Sequence, residues 1–310
     1  MGIIGAGNIA QEHLKVIAAI KGVKATGITS RTISKAEGLA NSFQIDQVYD
    51  GVAALVQKCA PDGILILVSA NQIYDVAIKL LPEGIPLFLE KPPGLIPEQT
   101  KTLTNLADRH GTKNMVGYNR RYYSIFHKGL EIINKHGQLL GIAVKGHERF
   151  WKIANGDIPQ KIRENWIYAN STHTIDLLRL FGGDIKKINA LKNNVKEKNG
   201  DQFVASLEFD SGALGSYTSH WLSPGGWSVK LYGVGVTVEY KPLEKGIWIN
   251  TDFQEREITP DEVDLKYKPG FYRQMEAFGK MVRTGKLDWP GVDLVKALKT
   301  MELAQKFYDA

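Results

Sequence analysis

The sequence predicts an α/β protein in two parts: an N-terminal doubly wound parallel sheet over residues 1–118, then a C-terminal α/β domain, 119–310, with a largely antiparallel sheet. Three observations carry this. Strand and helix patterns alternate at short spacing through the first part, the order expected of right-handed βαβ units. Gly63-Ile64-Leu65-Ile66-Leu67-Val68 is continuously apolar, as suits a strand covered on both faces. From Ile185 to Ile249 strands follow one another directly, broken at Asn199-Gly200, Asp210-Ser211-Gly212 and Pro224-Gly225-Gly226. Such tight turn signals suit antiparallel neighbours.

Ile3-Ile4 opens the first strand, and Glu12 to Lys21 reads as a helix with Leu14, Ile17 and Ala18 on one face. Ala25 to Ser30 is the second strand, Ser34 to Phe43 a helix, and Val52 to Lys58 a helical segment before the apolar strand. Gln72 to Leu81 is helical and Pro86 to Leu89 a strand. Pro97 to His110 is a helix with proline in its first turn, where a missing N–H costs nothing. Asn114 to Tyr118 closes the series. In the second part a helix over Arg121 to Lys135 precedes a strand from Leu139 to Phe150. A flexible loop rich in Lys, Asn and Pro then leads to a helix from Ser171 to Phe181. After the run of strands, Gly270 to Thr284 and Val292 to Tyr308 are helical.

A length of 310 residues exceeds a typical single domain, and 43% hydrophobic with 23% charged residues is ordinary globular composition. The single cysteine, Cys59, excludes an intramolecular disulfide and fits a reducing compartment, so a cytoplasmic protein is expected. No leader is read ahead of Met1-Gly2-Ile3-Ile4, a short strand that a few upstream residues would lengthen. No apolar run reaches the length of a membrane span, and no membrane partner is expected. The net charge of +6 is scattered, which argues against a nucleic-acid partner. A phosphate-bearing small ligand explains the basic excess as well as solvated surface lysine does. With no cysteine cluster, no His-Glu-x-x-His and no G-x-S-x-G, neither a metal site nor hydrolase chemistry is expected.

Gly5-Ala6-Gly7-Asn8-Ile9-Ala10 matches G-x-G-x-x-A between a strand and a helix, the dinucleotide-binding turn of a Rossmann domain. Gly5 allows the tight turn, Gly7 lets backbone approach a pyrophosphate, and Ala10 permits close helix–strand packing. The N–H groups at the helix start then face the phosphate oxygens. At the end of the second strand, where an NAD site wants an acidic residue, stand Ser30 and Arg31. Arginine there can clamp the 2′-phosphate of NADP, with Lys35 one turn on adding charge. NADP is therefore the expected cofactor and NAD the alternative; a solvated first-turn Arg31 would need neither.

The strand Pro86–Leu89 runs into Glu90-Lys91-Pro92-Pro93, which puts Lys91 at the carboxyl end of a parallel strand, where ligands bind. With the glycine turn, this segment resembles the glucose-fructose oxidoreductase / inositol dehydrogenase / rhizopine catabolism (Gfo/Idh/MocA) family. The resemblance extends to Ser30-Arg31, Val68-Ser69-Ala70-Asn71, Gly117-Tyr118-Asn119-Arg120-Arg121, and His173-Thr174-Ile175-Asp176 opening a helix that ends at Gly182-Gly183. It implies a Rossmann domain followed by an α/β domain with an open, largely antiparallel sheet that often forms the interface of a homo-oligomer, here a dimer or tetramer. It implies hydride transfer between a nicotinamide cofactor and a sugar, polyol or sugar-nucleotide hydroxyl or ketone, a small carbohydrate-like substrate. Lys91 would touch the nicotinamide ribose and the reacting oxygen, and His173 would exchange the proton. The cofactor-binding set would be Gly5, Gly7, Asn8, Ile9, Ser30, Arg31, Ser69, Asn71, Glu90, Lys91 and Asn119. The chemistry is sound on its own terms: histidine titrates near neutral pH, and a lysine cation stabilises a developing alkoxide.

The match has departures. Many such dehydrogenases carry a carboxylate four residues before the histidine, where this chain has Ala169, and the usual triple glycine ahead of it is missing. Tyr168, Asn170 or Thr172 could give a hydrogen bond in its place, but none equals aspartate as a base. Asp176 either orients the His173 ring or forms a structural salt bridge. After the third strand Ala70 and Tyr74 replace the usual proline and histidine. Phe150-Trp151 and His220-Trp221 are read as sheet core before a sugar-stacking face. Ala169 leaves open a second reading, a cofactor-binding sensor or regulator that has lost the chemistry. Alternation of Val204, Ser206 and Glu208 with Phe203, Ala205 and Leu207 is read as a sheet covered on both faces.

Overall fold

The computed structural model describes residues 1–310 as two compact units. The first comprises Met1–Asn119 and Val263–Leu298, the second Arg120–Glu262 and Lys299–Ala310. The expected contiguous second part, 119–310, is thus interrupted, because 263–298 returns to the first unit. The reason is apolar: the helix Phe271–Thr284 buries Phe271, Met275, Phe278 and Met281 and packs against the helix Asn8–Ile17.

In the first unit six strands, β1 (Gly2–Ile4), β2 (Gly27–Thr29), β3 (Gln47–Val48), β4 (Ile64–Ile66), β5 (Leu87–Leu89) and β6 (Asn114–Val116), run parallel in the order β3-β2-β1-β4-β5-β6. The order reverses between β1 and β4, so their carboxyl ends diverge and leave the crevice where such sheets bind ligands. Ile3, Ile64, Leu65, Ile66, Leu87, Phe88 and Leu89 are wholly buried, which accounts for the unbroken apolar runs. Helices Asn8–Ile17, Ile33–Phe43, Ala70–Leu80 and Pro97–His110 connect the strands. The first of these starts four residues earlier than the sequence pattern suggests, directly on the glycine turn. Val52–Ala54 continues as a π-helical turn, Leu55–Cys59.

The second unit holds an eight-stranded sheet of β7 (Leu139–Gly146), β8 (Ile185–Asn193), β9 (Gln202–Phe209), β10 (Leu214–His220), β11 (Trp227–Gly233), β12 (Val236–Tyr240), β13 (Gly246–Asn250) and β14 (Glu255–Ile258). Its order is β14-β13-β12-β11-β7-β10-β9-β8, antiparallel except for the β7–β10 pair. Helices Ser124–His136 and Thr172–Gly182 lie on one face. Phe203, Ala205, Leu207 and Phe209 are buried, whereas Val204 and Ser206 on the other face are exposed. Coverage within the unit is therefore one-sided, not two-sided. The strand expected to reach Phe150 ends at Gly146, and the expected flexible loop is mostly helical: Phe150–Asn155, Gln160–Glu164, and a π-helical turn, Ile167–Ser171, that runs into Thr172–Gly182. Ile153, Ile167 and Tyr168 anchor this segment in apolar surroundings, which a solvated loop would not allow. No helix is long and apolar enough to cross a membrane.

Candidate active site

The glycine turn has the form a dinucleotide needs. Gly5 has φ +110°, and a Cβ there would fall 2.4 Å from the Leu67 carbonyl oxygen, so no side chain fits. Gly7 is extended and exposed, with open space where a Cβ would project. Asn8 and Ile9 open the helix with no side-chain cap, and Ala10 is fully buried against the sheet. A helix start left uncapped beside an open backbone is an anion site, which fits the pyrophosphate of a nicotinamide dinucleotide.

Beyond β2, Ser30 Oγ accepts from the Thr32 N–H at 3.4 Å, and Arg31 is exposed. With the Gln72 amide oriented to match donors with an acceptor, its oxygen lies 2.7 and 2.9 Å from the two terminal nitrogens of Arg31. Gln72 sits in the first turn of Ala70–Leu80, so the helix that follows β4 fixes the guanidinium at the end of β2 without neutralising it. Just before it, Ser69 Oγ donates to Asn71 Oδ1 at 2.9 Å.

At the end of β5, Lys91 is half-buried and its bond to Pro92 is cis. Glu90 turns inward: its Oε2 accepts the Lys91 N–H at 3.2 Å, and its Oε1 lies 2.8 Å from Nε2 of His13. His13 is fully buried between the rings of Phe88 and Phe271, at centroid distances of 5.1 and 4.7 Å. Both oxygens of Glu90 are thus engaged inside the unit, where they brace the lysine turn. Asn119 is also buried, and its Nδ2 donates to the Pro269 carbonyl at 3.0 Å. Neither the His13 brace nor Gln72 was visible in the sequence reading, since each needs a partner from a distant segment.

In the second unit His173 is the second residue of Thr172–Gly182, 6% exposed, its ring 5.9 Å from that of Trp227. The Arg120 guanidinium stands over the same indole at 4.6 Å. The choice left open for Asp176 is settled in favour of structure. Arg121 grips its carboxylate through Nε at 2.6 Å and Nη2 at 2.9 Å, and Thr300 Oγ1 adds a bond at 2.9 Å. Ala169 is buried, and the side chains around it make hydrogen bonds of their own. Tyr168 donates to Gln305, and Thr172 Oγ1 donates back to the Tyr168 carbonyl at 2.8 Å. Asn170 Nδ2 and Ser171 Oγ donate to the two oxygens of Glu148 at 3.0 and 2.8 Å. Glu148, just past β7 and 5% exposed, is therefore a buried carboxylate tied to the turn that carries His173, and sequence spacing gave no sign of it.

Around the end of β7 and the start of β11 opens a cavity of about 830 Å³, lined among others by His147, Glu148, Trp166, Asn170 and Trp227. His147 Nδ1 accepts the His220 N–H at 2.9 Å. Burial, then the nearby His220 and Lys145, hold its imidazole below the usual histidine range. Its neutral form then carries the proton on Nε2. Trp221 is buried against Phe203, as the sheet-core reading of His220-Trp221 had it, while Trp151 is exposed and is not core. No group of three or more His, Cys, Asp or Glu side chains is placed to hold a metal.

Residues 1–118 match the oxidoreductase family described as an NAD-binding Rossmann fold, and residues 147–239 match the GFO/IDH/MocA C-terminal domain. The chain belongs to the Gfo/Idh/MocA family. Among its Gfo/Idh/MocA relatives is the scyllo-inositol 2-dehydrogenase (NAD(+)) of Bacillus subtilis (strain 168), 24% identical over 92% of this chain and 86% of that protein. The glucose-6-phosphate 3-dehydrogenase of the same organism is 30% identical over a shorter stretch, 46% of this chain and 41% of that protein. An oxidoreductase from Agrobacterium radiobacter, solved in complex with NAD+, L-tartaric acid and magnesium, shares the fold with a TM-score of 0.81 at 16% identity. That match covers 99% of this chain and 94% of the other.

Proposed function

We propose that this protein is an NADP-preferring oxidoreductase that transfers hydride between the cofactor and a hydroxyl or ketone of a sugar, polyol or sugar nucleotide. The glycine turn, with Gly5 at φ +110° and Gly7 open, carries the cofactor assignment. The NADP preference rests on Arg31, held by Gln72 and directly following Ser30, which stands where an NAD site would carry a carboxylate. Gly5, Gly7, Asn8 and Ile9 would hold the pyrophosphate, Ser30 and Arg31 the adenosine ribose and its phosphate, and Ser69 and Asn71 the next stretch. When bound, the nicotinamide supplies the hydride acceptor or donor. A carbohydrate substrate is supported by the names of the dehydrogenase relatives and by the tryptophan-walled cavity.

Lys91 places its ammonium at the reacting oxygen and the ribose, stabilising negative charge as an alkoxide develops. The Glu90–His13 brace holds the backbone of that turn from below. His173 takes the hydroxyl proton in oxidation and returns it in reduction. Glu148 positions the Asn170–Ser171 turn ahead of His173, a part that Ala169 cannot play. A homo-oligomer, dimer or tetramer, is supported by the uncovered sheet face, where Leu191 and Leu214 are 69% and 64% exposed. The single cysteine supports a cytoplasmic setting.

The test is steady-state formation of reduced nicotinamide from NADP+ and NAD+ across sugars, polyols, sugar acids, sugar phosphates and sugar nucleotides. Turnover of at least one class, faster with NADP+, is expected. Cofactor binding with no turnover of any class overturns the proposal in favour of a sensor.

A further inference from the structure

The cavity of the second unit has a charge that its hydrogen bonding does not use. Its lining includes five basic side chains, Arg120, Lys145, Arg149, Lys152 and Lys241, against two carboxylates, Glu148 and Glu244. Glu148 is held in the wall, both its oxygens accepting from Asn170 and Ser171, and keeps its charge, so the lining carries five cations against two anions. Four of the five basic side chains are not paired at all. Arg120 is the exception, its guanidinium 4.6 Å from the centre of the Trp227 ring. Lys145, Arg149, Lys152 and Lys241 are exposed, and none forms an ion pair. Basic residues of this unit that do pair, such as Arg121, Lys128, Arg179 and Lys186, are not among the lining residues. His147 adds a neutral donor at Nε2 without adding an acceptor there.

A concave site walled by indoles and ringed by unneutralised cations is matched to a ligand with a flat apolar face and a negative charge. Sugar rings offer the first, and phosphate or carboxylate substituents offer the second. About 830 Å³ lies toward the upper end of small-molecule clefts, so a charged substituent fits beside the ring. We propose that this cavity binds an anionic carbohydrate, a sugar bearing a phosphate or carboxylate, and that Lys145, Arg149, Lys152 and Lys241 select it over the neutral parent. This rests on the carbohydrate reading of the site given above and narrows its substrate class.

The experiment titrates the full-length protein, with NADP+ present, with glucose, glucose 6-phosphate, glucuronate and inorganic phosphate, following tryptophan fluorescence. The same titrations are run on Arg149→Gln/Lys152→Gln/Lys241→Gln and on a control, Lys101→Gln/Lys135→Gln, that removes charge outside the cavity. The substituted side chains are exposed, and a thermal melt confirms that each variant is folded. The two anionic sugars should bind roughly tenfold to hundredfold more tightly than glucose, the range of a charge-assisted contact. That preference should shrink with salt, vanish in the triple variant and persist in the control. A phosphate-over-carboxylate order, or its reverse, identifies which substituent the ring of cations prefers, and either supports the proposal.

Equal affinities for glucose and both anionic sugars would overturn it. So would failure of both anions to bind, a preference untouched in the triple variant, or inorganic phosphate binding as tightly as glucose 6-phosphate. Reduced nicotinamide is measured in parallel to separate this proposal from the one beneath it. Anionic sugars that bind but are never oxidised leave the cavity assignment standing and remove the enzymatic reading. Oxidation of neutral sugars with no anion preference does the opposite.

Discussion

Replacing Asp176 by alanine should destabilise the second unit severely while leaving the pH dependence of turnover in place. Asp176 and Arg121 are buried, with side chains only 2% and 8% exposed, and they meet through two hydrogen bonds. Thr300 closes the remaining side of the carboxylate. Removing the carboxylate leaves a guanidinium in a site that excludes water, a loss of about 3–5 kcal/mol for a buried pair broken on one side. In a unit of this size each kcal/mol moves the midpoint by about 2–4 °C, so the transition should fall by roughly 6–20 °C. Five of the six tryptophans, all but Trp289, lie in this unit, so intrinsic fluorescence reports its melting. Arg121→Met/Asp176→Leu, which removes both charges, should recover most of the loss. A single variant that melts within about 2 °C of the parent, or a double variant worse than either single, would mean that the Arg121–Asp176 pair does not hold the unit together in this way. A shifted pH–rate profile in Asp176→Asn would mean that the carboxylate acts on His173 after all.

Three further outcomes follow from the same geometry. Arg31→Ala should weaken NADPH binding by about 1–3 kcal/mol and leave NADH nearly unchanged, by fluorescence titration; equal affinities of the parent protein for both cofactors contradict the assignment. Glu148→Gln keeps shape but loses one acceptor for the Asn170–Ser171 turn, so kcat should fall by roughly tenfold with KM little changed, whereas unchanged kcat makes Glu148 a packing residue. Sedimentation at micromolar concentration should give a dimer or tetramer that Leu191→Glu/Leu214→Glu dissociates; a monomeric mass for the parent removes the sheet-face interface.

Periodicity alone carried most of the first unit, because its strands are short, wholly apolar and separated by helices whose faces alternate cleanly. Of its strands only Gln47–Val48 escaped, two residues with no apolar face to show. The second unit was legible where Gly and Asn mark turns, and opaque where they do not. Residues 150–171 look like loop from their Lys, Asn and Pro content, yet Ile153, Ile167 and Tyr168 pin them down as helical turns. Glu255-Arg256-Glu257 is too polar to read as a strand, but it pairs with β13 as a sheet edge, where charge is tolerated. Among the candidate site residues, those inside a local motif could be proposed from the sequence: Gly5, Gly7, Arg31, Lys91 and His173. Those defined by a partner far along the chain were not, because His13 meets Glu90, Gln72 meets Arg31 and Glu148 meets Asn170 only after folding.

Whether Lys91 and His173 perform chemistry on a substrate hydroxyl is tested most directly by the turnover of Lys91→Met and His173→Ala beside the parent protein, with cofactor binding measured on the same samples. Each variant should lose about 100-fold or more in kcat, cofactor affinity should drop mainly in Lys91→Met, and both should remain folded. Turnover within a few-fold of the parent in either variant would contradict this.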